Sequence, residues 1–406
     1  MVAITSMSRK KVIFVTVSSA LLILLIGGAL FGQATQKNNV YRYLSIFSEV
    51  FDLVRSNYVE QVSSDHLMDG AFSGVTDAID EFSYYVPPTQ MAAYKSFIDS
   101  EDNNIGLVVT KRFGYAYVIT AIADSPAAKA GIERGDFIEK IDGAPTQKMA
   151  VWQMRTALRA NRPVKLQVLR GGQTHRDEFT ILPAVYHPVP LSTNHYGAVA
   201  YIKIPYFEKG TEAKFHSALD DVHKTGARKL IVDLRGNAGG DVDEAIASAD
   251  DLLTSGLITA LEGRKVEQKR WQADRATAFD GDVEVLTDPS TAAGAEIFAA
   301  AIRGNNRGKV VGITTYGKSI VQRFIPLQSG GGVYMTVAHY TTPDLTPIKD
   351  TGVRPDGIVD MTSQAIREPA SKKKAGEAPL PPREDLILNK ALSMFGETTT
   401  VMKKAA

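Results

Sequence analysis

The sequence predicts an α/β (α+β) multidomain chain, and three observations carry that expectation. Apolar residues recur at three- and four-residue steps before position 100, short strands broken by turn residues fill 105–181, and a continuous apolar strand followed by helices opens a larger α/β region after Val199. Composition agrees. The 406 residues are 44% hydrophobic and 22% charged, which excludes a disordered or fibrous chain. Forty-six Lys and Arg face 45 Asp and Glu, a net charge of +1, so no global basic field exists to hold nucleic acid. The absence of cysteine excludes disulfides and thiolate catalysis. Seven histidines show no zinc-ligand spacing, and neither metal nor cofactor is expected.

The elements follow in order. Arg9, Lys10 and Lys11 precede Val12–Phe31, a run without charge. At about 1.5 Å per residue it would reach about 30 Å, a bilayer core. Residues 1–35 are therefore expected to be a cytoplasmic stub and membrane anchor, single-pass in a bacterial-type inner membrane, with the body on the exported side. Gly32-Gln33-Ala34 offers a cleavage site, which would make the protein secreted. Residues 36–100 read as a helical segment. Phe47, Val50, Phe51, Val54 and Tyr58 mark one buried helix face, a second helix runs from His66 to Phe82, and Pro87-Pro88 breaks the pattern.

In 101–186, Ser125 is an N-cap, Pro126 stands at the first helical position and Gly131 terminates the turn. Gly135-Asp136 leads into a strand over Phe137–Ile141, closed by the Asp142-Gly143 hairpin signal. A helix over Val151–Arg159 and a strand over Val164–Leu169 follow. In 187–362, Leu230–Asp233 reads as a strand buried on both faces. Helices are expected at Val242–Leu253 and Ala292–Ile302, and strands at Lys309–Ile313 and Val333–Tyr340. Residues 363–406 form a Lys/Pro-rich linker (Lys372, Lys373, Lys374, Pro379, Pro381, Pro382) and a terminal helix over Asp385–Phe395.

The stretch Ser125–Gly143 resembles a bacterial PDZ domain. The resemblance implies capture of a protein C-terminus as an added strand, with the carboxylate held by backbone amides at Asn104, Ile105, Gly106 and Leu107. Gly106 suits the close approach of an anion. Two further segments, Asp233-Leu-Arg-Gly236-Asn-Ala-Gly239-Gly240 and Ser290-Thr-Ala-Ala293-Gly294-Ala-Glu296, stand before Thr315-Tyr-Gly-Lys318-Ser-Ile-Val-Gln322. Together they resemble the C-terminal processing (tail-specific) serine peptidases, whose core is of the ClpP/crotonase-like type. That family implies a serine nucleophile, a neutral lysine as base, a glutamine orienting the amine, and two amides holding the oxyanion. Lys318 and Gln322 match the second and third, and Gly239 and Gly294 suit the amides. The substrates implied are proteins or peptides with free, apolar C-termini.

The nucleophile departs from the pattern. Three residues before Glu296, where the family has serine, stands Ala293. A methyl group cannot attack a carbonyl, so the chain as written should not cleave peptides by the family mechanism. On a helix, Ser290 lies about 300° and Thr291 about 200° from position 293, which leaves neither as a stand-in. Two readings stay open: a serine replaced in an otherwise intact peptidase, or a natural pseudopeptidase serving as a peptide-binding or regulatory module. Ser319 stands where the family usually has glycine. A remote alternative is a P-loop nucleotide hydrolase, since Gly312–Ser319 satisfies its spacing. The residues after Lys318, however, predict a strand instead of the required helix. His195, His216 and His223 read as surface or core residues, and Trp152 and Trp271 as packing residues.

Overall fold

A computed structural model describes residues 39–99, 105–170, 175–187, 189–360 and 385–397, together with 18, 19 and 22. The chain divides into two units, 1–72 and 73–406.

In the first unit, α1 covers 39–57 and α2 (Ser64–Asp77) begins. The apolar face expected on α1 is only partly covered: Phe51 and Val54 are half-buried, while Phe47, Val50 and, just past the helix, Tyr58 are exposed. The membrane span expected over Val12–Phe31 lies outside the described residues except for 18, 19 and 22. Among the described residues no helix is long and apolar enough to cross a membrane. The expectation of a single-pass inner-membrane anchor is corrected on that finding. The long helix that is described, α1, carries Arg42, Glu49, Asp52 and Arg55 through its length, charges a bilayer core would not accept. The Lys/Pro-rich run Lys372–Pro382 also lies outside the described residues.

The second unit begins with the end of α2, which stops at Asp77 instead of Phe82. A strap then leads through β1 (Tyr84–Val86) to α3 (Met91–Asp99). Next comes an antiparallel sheet built from β2 (Leu107–Arg112), β3 (Tyr115–Ala121), β4 (Phe137–Ile141), β5 (Ala144–Pro145), β6 (Val164–Arg170) and β7 (His175–Ile181), in the order β2-β3-β4-β6-β7. The local signals act as read. Ser125 Oγ accepts the Ala128 amide to cap α4 (Pro126–Lys129), and Gly131 takes a positive φ beyond it. Asp142 and Gly143 both take positive φ, the conformation a tight hairpin needs. α5 (Val151–Leu158) closes the core through Met154 and Leu158.

A second sheet carries β8 (Ser192–Tyr196), β9 (Val199–Lys203), β10 (Lys229–Asp233), β13 (Asp282–Thr287), β14 (Gly308–Gly312) and β17 (Gly357–Ile358). Its order is β17-β14-β13-β10-β9-β8, parallel except for β8. Between these strands run α6 (Thr211–Lys224), α7 (Val242–Asp250), β11 (Leu257–Glu262), β12 (Lys269–Gln272) and α8 (Gly294–Gly304). β15 (Ile320–Pro326) and β16 (Gly332–Tyr340) complete a third sheet, to which β1 adds itself antiparallel to β16. The central strands alternate. Leu230, Val232, Val283, Val285 and Val310 face α6, α7 and α8, while Val199, Ile231, Leu286 and Val311 face the terminal helix α9 (Leu386–Met394). Burying Ile387, Leu388 and Leu392 there contributes about 1.5–3 kcal/mol each, enough to dock so short a helix.

Candidate active site

The site is assembled at the carboxyl ends of β10 and β13. β10 ends at Asp233, a fully buried carboxylate gripped by Arg235 through Nε and Nη2 and by the Tyr201 hydroxyl at 2.6 Å. Arg235 also pairs with Asp385, which caps α9, so the start of the glycine loop is fastened on both sides. The loop then turns back on itself. Gly239 and Gly240 have φ of +135° and +120°, a region side chains avoid. A Cβ on Gly240 would stand 2.0 Å from the Phe207 carbonyl oxygen. That carbonyl accepts the Asp241 amide at 2.7 Å, and Asp241 caps α7.

Opposite the loop, the turn from β13 into α8 places Ala293 at φ +54° and ψ −119°, a conformation that alanine rarely adopts. Such backbone strain costs about 1–3 kcal/mol and persists only where neighbours over-determine it. Here they do. The Ala292 amide donates to the Asn237 carbonyl at 2.9 Å, the Ala293 amide to Glu296 Oε2 at 3.0 Å, and Ser319 Oγ to the Ala293 carbonyl at 3.0 Å. Asn237 in turn holds the Ile204 carbonyl through Nδ2 and accepts the Gly239 amide on Oδ1. The turn is of the strand-to-helix kind that presents a nucleophile. Gly239 borders it: a Cβ there would lie 3.4 Å from that of Ala293. Gly294 supplies the first amide of α8, and a side chain on it would meet Ala245 at 2.9 Å.

Glu296 is the hub that joins Ala293 to Lys318. It is fully buried, and five donors converge on it. Oε2 accepts the amides of Ala293 and Lys318 and the Ser319 hydroxyl, and Oε1 accepts the Gly317 amide and the Thr315 hydroxyl. Burial pushes its carboxyl above the ordinary range, against the pull of these donors. Lys318 itself is part-buried, and its amine stands 5.3 Å from the centre of the Phe82 ring. Desolvation pushes it down to about 7, helped by the Arg155 charge and opposed by Glu81 and Glu296. A buried amine at that value is half neutral near physiological pH, which is what a general base requires.

Gln322 departs from its expected place. Its Nε2 donates to the Phe82 carbonyl at 2.9 Å, and no hydrogen bond joins it to Lys318. It therefore steadies the ring that lies against the amine. The strap holding Phe82 is shared with the first sheet: Thr110 Oγ1 donates to the Glu81 carbonyl at 3.2 Å, and the Tyr316 hydroxyl donates to the Glu81 carboxylate at 2.6 Å.

The neighbouring hydroxyls are committed elsewhere. Ser290 Oγ donates to the Ile119 carbonyl of β3 at 2.8 Å, and Thr291 Oγ1 donates to the Leu234 carbonyl at 3.0 Å. The P-loop alternative lacks its helix, since β15 starts at Ile320, directly after Lys318 and Ser319.

In the first sheet, Asn104 lies outside the described residues. Ile105, Gly106 and Leu107 lead into β2, an edge strand of its sheet. Gly106 has φ +84°, and a Cβ would stand 2.0 Å from that of Ser125, so packing against the capped turn already demands glycine.

Sequence reasoning assigned no role to Glu296, Ser319, Asn237 or Phe82. Glu296 was visible as the fixed acid of its motif. The others act through contacts that no spacing announces. Ser319→Ala should remove one donor each from Glu296 Oε2 and from the Ala293 carbonyl, which keeps the Glu296 and Ile297 amides, lowering unfolding free energy by about 0.5–1.5 kcal/mol in urea titration. An unchanged midpoint would show the hydroxyl to be idle.

Comparison with known proteins agrees with this geometry. Residues 198–359 match the description of peptidase family S41, and residues 117–170 that of a PDZ domain. A carboxy-terminal-processing protease of Bartonella bacilliformis is 30% identical, over 96% of this chain and 97% of that protein. The carboxy-terminal processing protease CtpA of Bacillus subtilis is 28% identical, over 86% of this chain and 76% of that protein. Among solved structures, a photosystem II D1 C-terminal processing protease superposes with a TM-score of 0.64, at 23% identity, covering 77% of this chain and 92% of its own. At that identity the likeness is one of fold. With a glycine loop, a strained helix entrance and a lysine joined to it through one carboxylate, the chain belongs to the carboxy-terminal-processing proteases of peptidase family S41 and carries a PDZ domain.

Proposed function

We propose that the chain captures protein C-termini through its PDZ domain and holds the adjoining extended segment in a Ser/Lys-type cleft. Ala293 occupies the nucleophile place there, so peptide is bound without being cut. The observation that carries the reading is the turn at Ala293: a strained residue borders Gly239 and shares one Glu296 oxygen with Lys318. β2 is an edge strand, which supports addition of a peptide strand beside Ile105, Gly106 and Leu107.

With serine at 293, Lys318 takes the hydroxyl proton as Oγ attacks the peptide carbonyl. The amide of Gly294 and that of Gly239, released from Asn237 Oδ1, receive the oxyanion. Lys318 returns that proton to the leaving amine as the peptide bond breaks, and the now neutral Lys318 takes a proton from water, which hydrolyses the ester. Gln322 keeps Phe82, and through it Lys318, in place.

The test offers an unstructured protein with an apolar C-terminus to the chain as given and to Ala293→Ser. The first should bind it without cleavage, more weakly when the terminus is amidated. The second should cleave it. Binding with no cleavage by Ala293→Ser would establish the pseudopeptidase. Equal affinity for the amidated form would refute carboxylate capture.

A further inference from the structure

Away from the cleft, the first turn of α6 faces the end of α7. Glu212 and His216 stand four residues apart on α6 and so share one helix face. Asp251, at the C-terminal end of α7, lies against them, with His216 Nδ1 3.0 Å from Asp251 Oδ1. One donor atom from each residue falls within 4.8 Å of the other two. The three, with Arg275, line a cavity of about 300 Å³.

Two observations set this cluster apart from an ordinary surface ion-pair network. The Asp251 side chain is 1% exposed, yet its Oδ2 has no hydrogen-bond partner. Such an oxygen loses its water on burial and gains nothing in return, a cost that a bound cation would remove. The His216 side chain is 47% exposed, which leaves a way in for an ion. The present occupant is Arg275, whose Nη1 lies 2.7 Å from Glu212 Oε1 and 3.8 Å from Asp251 Oδ1. It also lies 3.7 Å from Asp250 Oδ2 and can keep that partner when it gives up the others.

We propose that Glu212, His216 and Asp251 form a binding site for a divalent transition cation of the zinc class, which displaces Arg275 and clips α6 to α7. Imidazole with two carboxylates is a donor set that zinc and cobalt accept and magnesium does not favour. Zinc holds such ligands at about 2.0–2.2 Å, which draws the donors closer than they now stand, and the partly exposed Glu212 and His216 can make that movement. Two carboxylates neutralise the ion, and water completes the shell. The clip would act near the cleft's foundation. Glu244 of α7 already accepts the Gly210 and Glu212 amides at the start of α6, and α7 begins directly after the Gly239–Gly240 loop.

The test uses the full chain, freed of metal by chelator and dialysis, then titrated with zinc and, for its visible spectrum, cobalt. The native chain should bind one ion more than His216→Gln, with a cobalt spectrum that the variant lacks and a zinc-dependent rise in Tm that the variant loses. Arg275→Gln, which removes the competing cation, should tighten zinc binding at least three-fold. Equal stoichiometry and spectra in the native chain and His216→Gln would overturn the site, as would zinc affinity unmoved by Arg275→Gln. A Tm rise with magnesium equal to that with zinc would overturn the role of the imidazole.

Discussion

Replacing Lys318 by Met in an Ala293→Ser chain should abolish the gained cleavage, lowering kcat/KM about 10⁴–10⁶-fold, the usual cost of removing a member of a nucleophile–base unit. The Ser/Lys chain should also show a pH profile of defined sign. The Lys318 amine is held at about 7 by desolvation and by the Arg155 charge. Only the neutral amine can accept the serine proton, so activity is low below that value and rises through it. About one-tenth of the amine is neutral one unit below its pKa and about nine-tenths one unit above. A rise of about ten-fold is therefore expected between pH 6 and 8, levelling off beyond. Initial rates on a peptide without titrating groups would check it. A profile flat across that range, or cleavage surviving in Lys318→Met, would remove Lys318 from the role of base. A methionine of similar length keeps the packing against Phe82, so a loss of rate with an unchanged Tm separates chemistry from folding.

Gly240→Ala should be the most damaging single methyl in the glycine loop. At φ +120° the new Cβ meets three backbone atoms of Phe207, the nearest at 2.0 Å, and backbone cannot step aside as a flexible side chain can. Relief requires moving Phe207 off the loop, which breaks the 2.7 Å bond from the Asp241 amide and frees the cap of α7. Strain, a lost backbone bond and a disturbed core aromatic together should exceed about 4 kcal/mol, the range in which point changes unfold proteins. Gly236 in the same loop is the control. It has φ +78° and nothing within 4 Å of its would-be Cβ, so Gly236→Ala should cost about 1–2 kcal/mol, the left-handed penalty alone. Urea midpoints of the two variants measure the contrast. Similar values would show that the Phe207 contact relaxes cheaply.

Much of the fold was legible because its signals are local. Ser125, Pro126 and Gly131 bound one turn within seven residues, and Leu230–Asp233 advertises a doubly buried strand by having nothing polar before its last residue. Sequence also placed Ala293, Gly239, Gly294 and Lys318 in one constellation; the structure sets Gly239 beside Ala293 and hangs the backbone amides of Ala293 and Lys318 on one Glu296 oxygen. What stayed hidden depends on partners far along the chain. Gln322 reads as a companion of Lys318 by spacing, yet it bonds a carbonyl 240 residues earlier. Ser319 could not be judged until its hydroxyl was seen between Ala293 and Glu296. Gly106 was read as room for an anion, and the structure adds that Ser125 stands where a side chain on it would go. On α1 the periodicity was present, but periodicity says only that a face is apolar; cover must come from elsewhere.

The pairing of β1 with β16 has a consequence for how the molecule is made. Tyr84 finds its partner Tyr334 only after 250 further residues have been synthesised. At roughly 5–20 residues per second, that interval lasts about 12–50 s. The PDZ sheet, whose strands pair with near neighbours, can fold within it. The strap that carries Phe82 cannot: its strand waits unpaired until translation of the chain is nearly over. The cleft is thus completed late in synthesis, and a nascent chain whose PDZ sheet has already folded still lacks the groove that would receive a captured segment.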